Sequence, residues 1–484
     1  MSVIASSTQT LANPALNRTG AGIEPSCRLP LLYLFGSGAG WLFIGLCFAF
    51  IASLKFHNPN FLTQHACFTY GRVHASQLDC VLYGFGVPSA LGVSLWLLCR
   101  LGRTTLVGPG VILIGTAVWN FAVTVGVLGV LAGDASGFES FEMPRYVSWM
   151  LLTGYALIGI CALLTFHQRQ PGALYPAQWF VVGAIFWFPW IFTTATALLL
   201  GAPARGVLQA VIAWWYAHNF NTVFLGFAGL GSILYFVPKL LGRPLHSYYV
   251  AALGFWTLAL FGSCGGIPAG APVPAWITSL SAAGTILSAL PVLAIAFNFI
   301  QTVRHDFDAM DANLPVRFAY VAFTFWLIAM AQQIVGVIPG VSDLTNYTWF
   351  GVAQWELFHY GFFAMAMFGA MYYIVPRLLD HVDLPEWAPG LAKAHFWLTF
   401  FGVLISYIAL VVGGVGQGYL LNEPRYSFTQ VVAATLTALR VETLGDVLII
   451  LGTLCFLLNF ALMLSRHCGR YCARMGVGIG KERL

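Results

Sequence analysis

AWWYAHNFN, residues 213–221, lies inside a long apolar run and sets a histidine and an asparagine, His218 and Asn219, among tryptophans and phenylalanines. Both side chains are expensive to bury at membrane depth, so each marks a site by default. The solvent around them follows from composition. Of 484 residues 59% are hydrophobic and 8% charged, and the mean hydropathy is +0.80. A water-soluble domain carries roughly a quarter of its residues as charges, so this chain is a polytopic membrane protein.

Runs of about 20 apolar residues predict about twelve spans, near 31–54, 79–100, 106–131, 146–167, 177–200, 207–237, 247–264, 276–300, 317–338, 350–376, 395–415 and 444–465. The expected organisation is a tail over 1–29, a membrane domain over 30–465 and a basic tail over 466–484. The first tail lacks the basic and apolar regions of a signal peptide and reads as disordered. Lys and Arg residues set the orientation: only Lys55, Arg72, Arg145, Arg205, Arg425 and Arg440, of 22, fall on the side opposite the termini. The positive-inside rule then predicts both termini cytoplasmic in a bacterial-type inner membrane, as an even number of spans requires.

The net charge of +5 is thus a topology signal; no basic stripe with interleaved aromatics suggests nucleic acid. The tail from Arg466 can touch anionic headgroups of the bilayer. The ten cysteines include no C-x-x-C-H and no paired C-x-x-C. Cys468 and Cys472 beside His467 read as reduced thiols in a tail rather than metal ligands. Cys67 and Cys80 bracket a loop and are a candidate disulfide. Inside the spans, three polar clusters stand out: His218 with Asn219, His359 with Glu356, and Gln77 with Asp79. Each reads either as a cofactor or ion site or as a helix-to-helix hydrogen bond.

W-W-Y-A-H-N resembles the sixth helix of subunit I of haem-copper oxidases, closest to the C-type (cbb-type) enzymes, where W-W-Y-G-H-N supplies a copper-ligating histidine. YFVPKLLGRPLHSYYVAALGFW at 235–256, FTYGRV at 68–73, NYT at 346–348, FGAMYYIVPRLL at 368–379, HFWL at 395–398, VGQGYL at 415–420 and RYSF at 425–428 extend the likeness, in order, over roughly residues 30–465. It implies an all-α integral membrane fold of about twelve transmembrane helices in the oxidase subunit I arrangement, and a place in a respiratory electron-transport chain.

The resemblance also implies two haems and a copper held by six histidines, and these are nearly all missing. Carried over residue by residue, the low-spin haem ligand after the G-R pair falls on Gln77. The tenth-helix H-x-H falls on Gln354 and Glu356. The two further copper histidines and the cross-linked tyrosine fall in FGSCGGIPAGAP at 261–272, which has neither residue, and a ninth-helix carboxylate aligns with Gln332. Only His218 remains, and one imidazole cannot hold a copper that requires three.

His74 and His359 lie three residues from Gln77 and Glu356, about one turn away in opposite directions, which sets the rings roughly 9 Å apart along the membrane normal; either alone is a candidate ligand for a haem b. Glu356 and His359, at i and i+3, could form a small non-haem metal site with His218. The alternative is a plug in which Gln77, Gln354, Glu356, His359 and nearby aromatics fill the volume of a porphyrin. Three functions follow. The first is a pseudoenzyme, haem-free and copper-free, serving as a structural or regulatory subunit beside cytochrome c-type or oxidase partners. The second is a terminal oxidoreductase reducing oxygen or nitric oxide with relocated ligands. The third is a proton or ion pathway through Asp79, Glu356, His359 and His218.

Overall fold

The computed structural model describes residues 22–304, 313–379 and 388–481, and in them the chain is helical wherever it crosses the apolar layer. Lipid offers no hydrogen bonds, so a spanning segment must satisfy its own backbone, which the helix does. The helices are α1 (Ile23–His57), α2 (Tyr70–Gly102), α3 (Pro109–Ala132), α4 (Arg145–His167), α5 (Pro176–Gly201), α6 (Leu208–Leu241), α7 (Tyr248–Phe261), α8 (Ala275–Val303), α9 (Leu314–Gly336), α10 (Trp349–Leu378), α11 (Pro389–Leu421) and α12 (Phe428–Lys481). Eleven are long and apolar enough to span. The exception, α7, has 14 residues, a length of about 21 Å against a hydrocarbon core of about 30 Å.

Three helices form the inside. The most apolar stretches of α2, α6 and α10 are 100, 94 and 100% buried, whereas those of the other spanning helices are 39–56% buried. The outer helices turn Trp149, Phe186, Trp190 and Trp256 outward, as a lipid-facing surface requires. Each inner helix contains a π-helical stretch: Cys80–Gly86 in α2, Phe220–Leu225 in α6 and Leu357–Ala364 in α10. Such widened turns shift side-chain register and gather at functional positions; here each follows directly on one of the polar clusters.

Several boundaries differ from expectation. Helix α1 starts at Ile23, inside the expected tail, and residues 1–21 lie outside the described residues. The seventh span stops at Phe261 rather than 264, because Gly262, Gly265 and Gly266 cannot sustain a helix that Pro268 then ends. Helix α12 begins at Phe428, well before 444, and brings Glu442 into the bundle. Its backbone continues to Lys481, so the expected basic tail is helical for most of its length; the side chain of Cys472 lies outside the described residues. Cys67 and Cys80 are both free thiols. Cys67 sits in a short turn before α2 and Cys80 is buried ten residues beyond Tyr70, a depth of about 15 Å that no disulfide spans.

Candidate functional site

The site begins where α7 ends. The carbonyls at its end have no helical N–H donors, and an unpaired buried carbonyl is costly. His218 and Asn219 supply the missing donors. The His218 Nε2 donates to the Gly262 carbonyl at 2.8 Å, and the Asn219 amide donates to the Ser263 carbonyl at 3.1 Å and the Trp215 carbonyl at 3.0 Å. Asn219 also accepts from the Trp187 indole at 3.1 Å. A carbonyl can only accept, so His218 carries its proton on Nε2. Its Nδ1 then accepts from the Gln333 amide at 3.1 Å. Both ring nitrogens are committed, and the histidine that opened the sequence reading is a clamp on a broken helix.

Beside the clamp lie two adjoining cavities of about 230 and 180 Å³, both bordered by His218, Gly266, Gln333 and Gln354. The second also reaches Glu139, Asn221 and His359. His359 stacks on Trp355, centroids 4.0 Å apart, and its Nδ1 donates to the Trp355 carbonyl at 2.7 Å. Its Nε2 lies 3.0 Å from the Asn221 side-chain oxygen. This geometry separates His359 from Glu356: the π-helical turn carries the imidazole toward α6 while Glu356 faces α12. The pair expected to share a metal therefore does not. Likewise the side chain reaching His218 from α9 is Gln333; Gln332 donates instead to the Phe350 carbonyl at 2.8 Å.

Gln77 makes a second, distinct contact. Its amide donates to the Tyr360 hydroxyl at 3.3 Å, and its carbonyl oxygen lies 3.3 Å from the His74 Nδ1. His74 stacks on Tyr70. Helices α2 and α10 thus touch directly at this level.

Asp79 belongs to a third group. It is fully buried, and neither carboxylate oxygen has a hydrogen-bond donor among the described residues. Nearby, the Tyr83 hydroxyl donates to the Ser140 carbonyl at 2.8 Å and accepts from Tyr216 at 2.7 Å, while the Ser140 amide donates to Glu142 at 2.8 Å. Asp79, Glu356 and the two histidines therefore occupy three places, and the relay expected from them is not one continuous hydrogen-bonded chain.

Glu142 lies in the connection between α3 and α4. Burial raises its carboxyl from the ordinary 4.5 to about 8, against a smaller opposing effect of the Ser140 amide, and burial raises Glu139 as well. The native state then holds a proton that the unfolded chain has released. The contribution of Glu142 to stability is complete below about pH 4.5 and is lost as pH rises toward about 8. Glu142→Gln is expected to flatten the fall in Tm between pH 5 and pH 8 relative to the parent, measured by thermal unfolding in detergent; parallel profiles would count against this.

Glu356 turns instead toward α12. It meets Glu442 and Asp446 of α12, with one oxygen from each of the three within 4.8 Å of the others.

The donor sets decide which of the family's groups fit. Copper needs several imidazoles, yet the ring of His218 is spent, and a Cβ placed at Gly265 would lie 2.6 Å from its Nε2. The α7–α8 connection, onto which the resemblance carries the further histidines, holds none. Axial haem ligands are His, Cys, Met or Tyr, whereas the carried-over positions hold Gln77, Gln354 and Glu356, the first hydrogen-bonded across α2 and α10. The residues present do not fit the two haems or the copper.

Comparison with known proteins places the fold. The chain belongs to the cytochrome c and quinol oxidase polypeptide I family, whose model matches residues 30–448. It is 24% identical over 456 residues to a cytochrome c oxidase subunit 1 homolog of Azorhizobium caulinodans, covering 88% of this chain and 80% of that one. It is 23% identical over 409 residues to the Cbb3-type cytochrome c oxidase subunit CcoN1 of Stutzerimonas stutzeri, covering 81% and 85%. Among solved structures, a haem-copper terminal oxidase dimer matches with a TM-score of 0.71 at 15% identity, covering 90% of this chain and 84% of that one. The protein is accordingly a multi-pass, cytochrome c oxidase subunit I-like membrane protein.

Sequence reading missed Glu442, Asp446, Glu142, Asn221 and Gln333. The first two had a visible signal: carboxylates at i and i+4 beside the apolar run VLIILGTLCFLL.

Proposed function

We propose that this chain is a haem-free, copper-free member of its family that acts as a structural or regulatory subunit of a respiratory electron-transfer complex, with both termini cytoplasmic. The observation that carries the reading is the His218 ring, whose two nitrogens serve the Gly262 carbonyl and the Gln333 amide. A retained copper-ligand position put to structural use is what a family member relieved of catalysis would keep. The relocated-ligand alternative loses support at His359, whose Nδ1 is held by Trp355 and whose Nε2 faces Asn221.

Family membership supports partners, since subunit I is one chain of a larger oxidase assembly. Affinity isolation of the full-length chain from its own membranes in mild detergent is expected to bring down a haem-bearing electron-transfer protein in fixed ratio. A chain that is reproducibly solitary would contradict the proposal.

A further inference from the structure

We infer that Glu356, Glu442 and Asp446 form a binding site for a hard divalent cation, of the calcium type, between α10 and α12. The three carboxylates are 7, 8 and 2% exposed and offer oxygens within 4.8 Å of one another. Three negative charges cannot stand together in a low-dielectric interior without neutralisation. Among the described residues no lysine or arginine pairs with any of them.

Glu356 supplies the independent pointer. It comes from a different helix than the other two, is more than nine-tenths buried, brings a carboxylate oxygen to within 4.8 Å of theirs, and has an oxygen, Oε2, with no hydrogen-bond partner among the described residues. Asp446 Oδ2 is likewise without a donor. Oxygens sharing one ion lie no farther apart than twice the metal–oxygen distance. For calcium, with bonds of about 2.3–2.6 Å, that limit is about 4.6–5.2 Å, which the observed spacing meets. An all-oxygen donor set selects calcium, magnesium or manganese over zinc or copper. Magnesium demands stricter octahedral geometry and gives up water reluctantly, whereas calcium accepts flexible geometry and carboxylates bound through one oxygen or two, so three carboxylates drawn from two helices suit calcium best. A divalent ion leaves one negative charge, which a single proton removes.

The surroundings supply a way in. Ser53 of α1 makes hydrogen-bonding contact with Asp446, and also with Thr443. The Thr443 hydroxyl in turn meets the His57 Nε2 at 3.0 Å. His57 is the last residue of α1, at the mouth of the connection to α2, and the exposed Arg440 reaches the Phe56 carbonyl there. The site thus lies about a turn and a half below one face of the bundle and ties α1, α10 and α12 together. The inference rests on the carboxylates and is independent of any docking partner.

The test is equilibrium dialysis of the full-length purified chain, first stripped with chelator, against calcium ions at pH 7.5. One ion bound per chain is expected, with at least a tenfold loss of affinity in Asp446→Asn and in Glu356→Gln. Thermal unfolding controls for folding: both neutral variants should melt no lower than the stripped parent and should not respond to calcium, whereas the parent's Tm should rise. No saturable binding to the parent, or binding undiminished in both variants, would overturn the assignment and leave protons as the neutralising agent. Displacement by magnesium at equal concentration would overturn the choice of calcium.

Discussion

Gly266→Ala is expected to destabilise the protein by about 2–5 kcal/mol, from two costs that act together. Gly266 has φ +102°, which an L-residue adopts only at about 1–2 kcal/mol. A Cβ at this position would also overlap the His218 side chain and approach the Trp214 carbonyl to 2.9 Å, and overpacking of this kind costs about 1–3 kcal/mol. Gly270 is the control. Its φ is +81°, yet a Cβ there meets nothing within 4 Å, so Gly270→Ala should cost only the backbone strain. Thermal unfolding in detergent, with size-exclusion profiles, separates the two. Equal effects at both glycines would mean that the α7–α8 connection is not seated on His218 and that the volume of a copper site is still open.

Removing the clamp itself is the second large effect. His218→Ala leaves the Gly262 carbonyl without its donor and the Gln333 amide with only a long bond to Thr222, and opens space in a packed interior. A buried polar group stranded in this way costs about 1–3 kcal/mol, and the cavity adds to it, so a loss of about 2–4 kcal/mol is expected. Visible absorption should not change. His74→Ala, which removes a partly buried ring held by a long contact to Gln77 and by stacking on Tyr70, should cost less than half as much. A visible band that disappears with His218 would make the residue a ligand and sink the clamp.

Much of the architecture was readable because the membrane imposes it. A spanning helix must be a long apolar run, and eleven of the twelve expected spans correspond to helices long enough to cross. What escaped was register. The π-helical stretches after Asp79, Asn219 and Glu356 leave no trace in hydrophobic periodicity, because these inner helices are apolar on all sides. Counting 3.6 residues per turn put Glu356 and His359 together, and the widened turn of α10 sends them to opposite neighbours. The end of α7 could be read from its glycines and prolines, but not the fact that its freed carbonyls fall on His218 and Asn219. That requires knowing which helices are adjacent, which a single sequence does not encode locally.

The three polar groups also share a logic. At Gln77 and Glu356 the haem-ligand histidine that the resemblance implies is replaced, and at His218 the implied copper ligand is retained but committed to the protein's own backbone and side chains. Gln77 joins α2 to α10, His218 joins α6 to the end of α7, and Glu356 joins α10 to α12. Helices in lipid gain little from apolar contact with one another, so interhelical polar contacts and close packing hold the bundle. The helices between which a haem would lie are therefore those that most need a substitute.

The most direct test is the reduced-minus-oxidised absorption spectrum of the purified full-length chain, with pyridine haemochrome and copper quantified on the same sample. The account predicts no haem bands and copper far below one per chain. Haem or copper at one equivalent per chain would contradict it and return His74, His218 and His359 to the role of ligands.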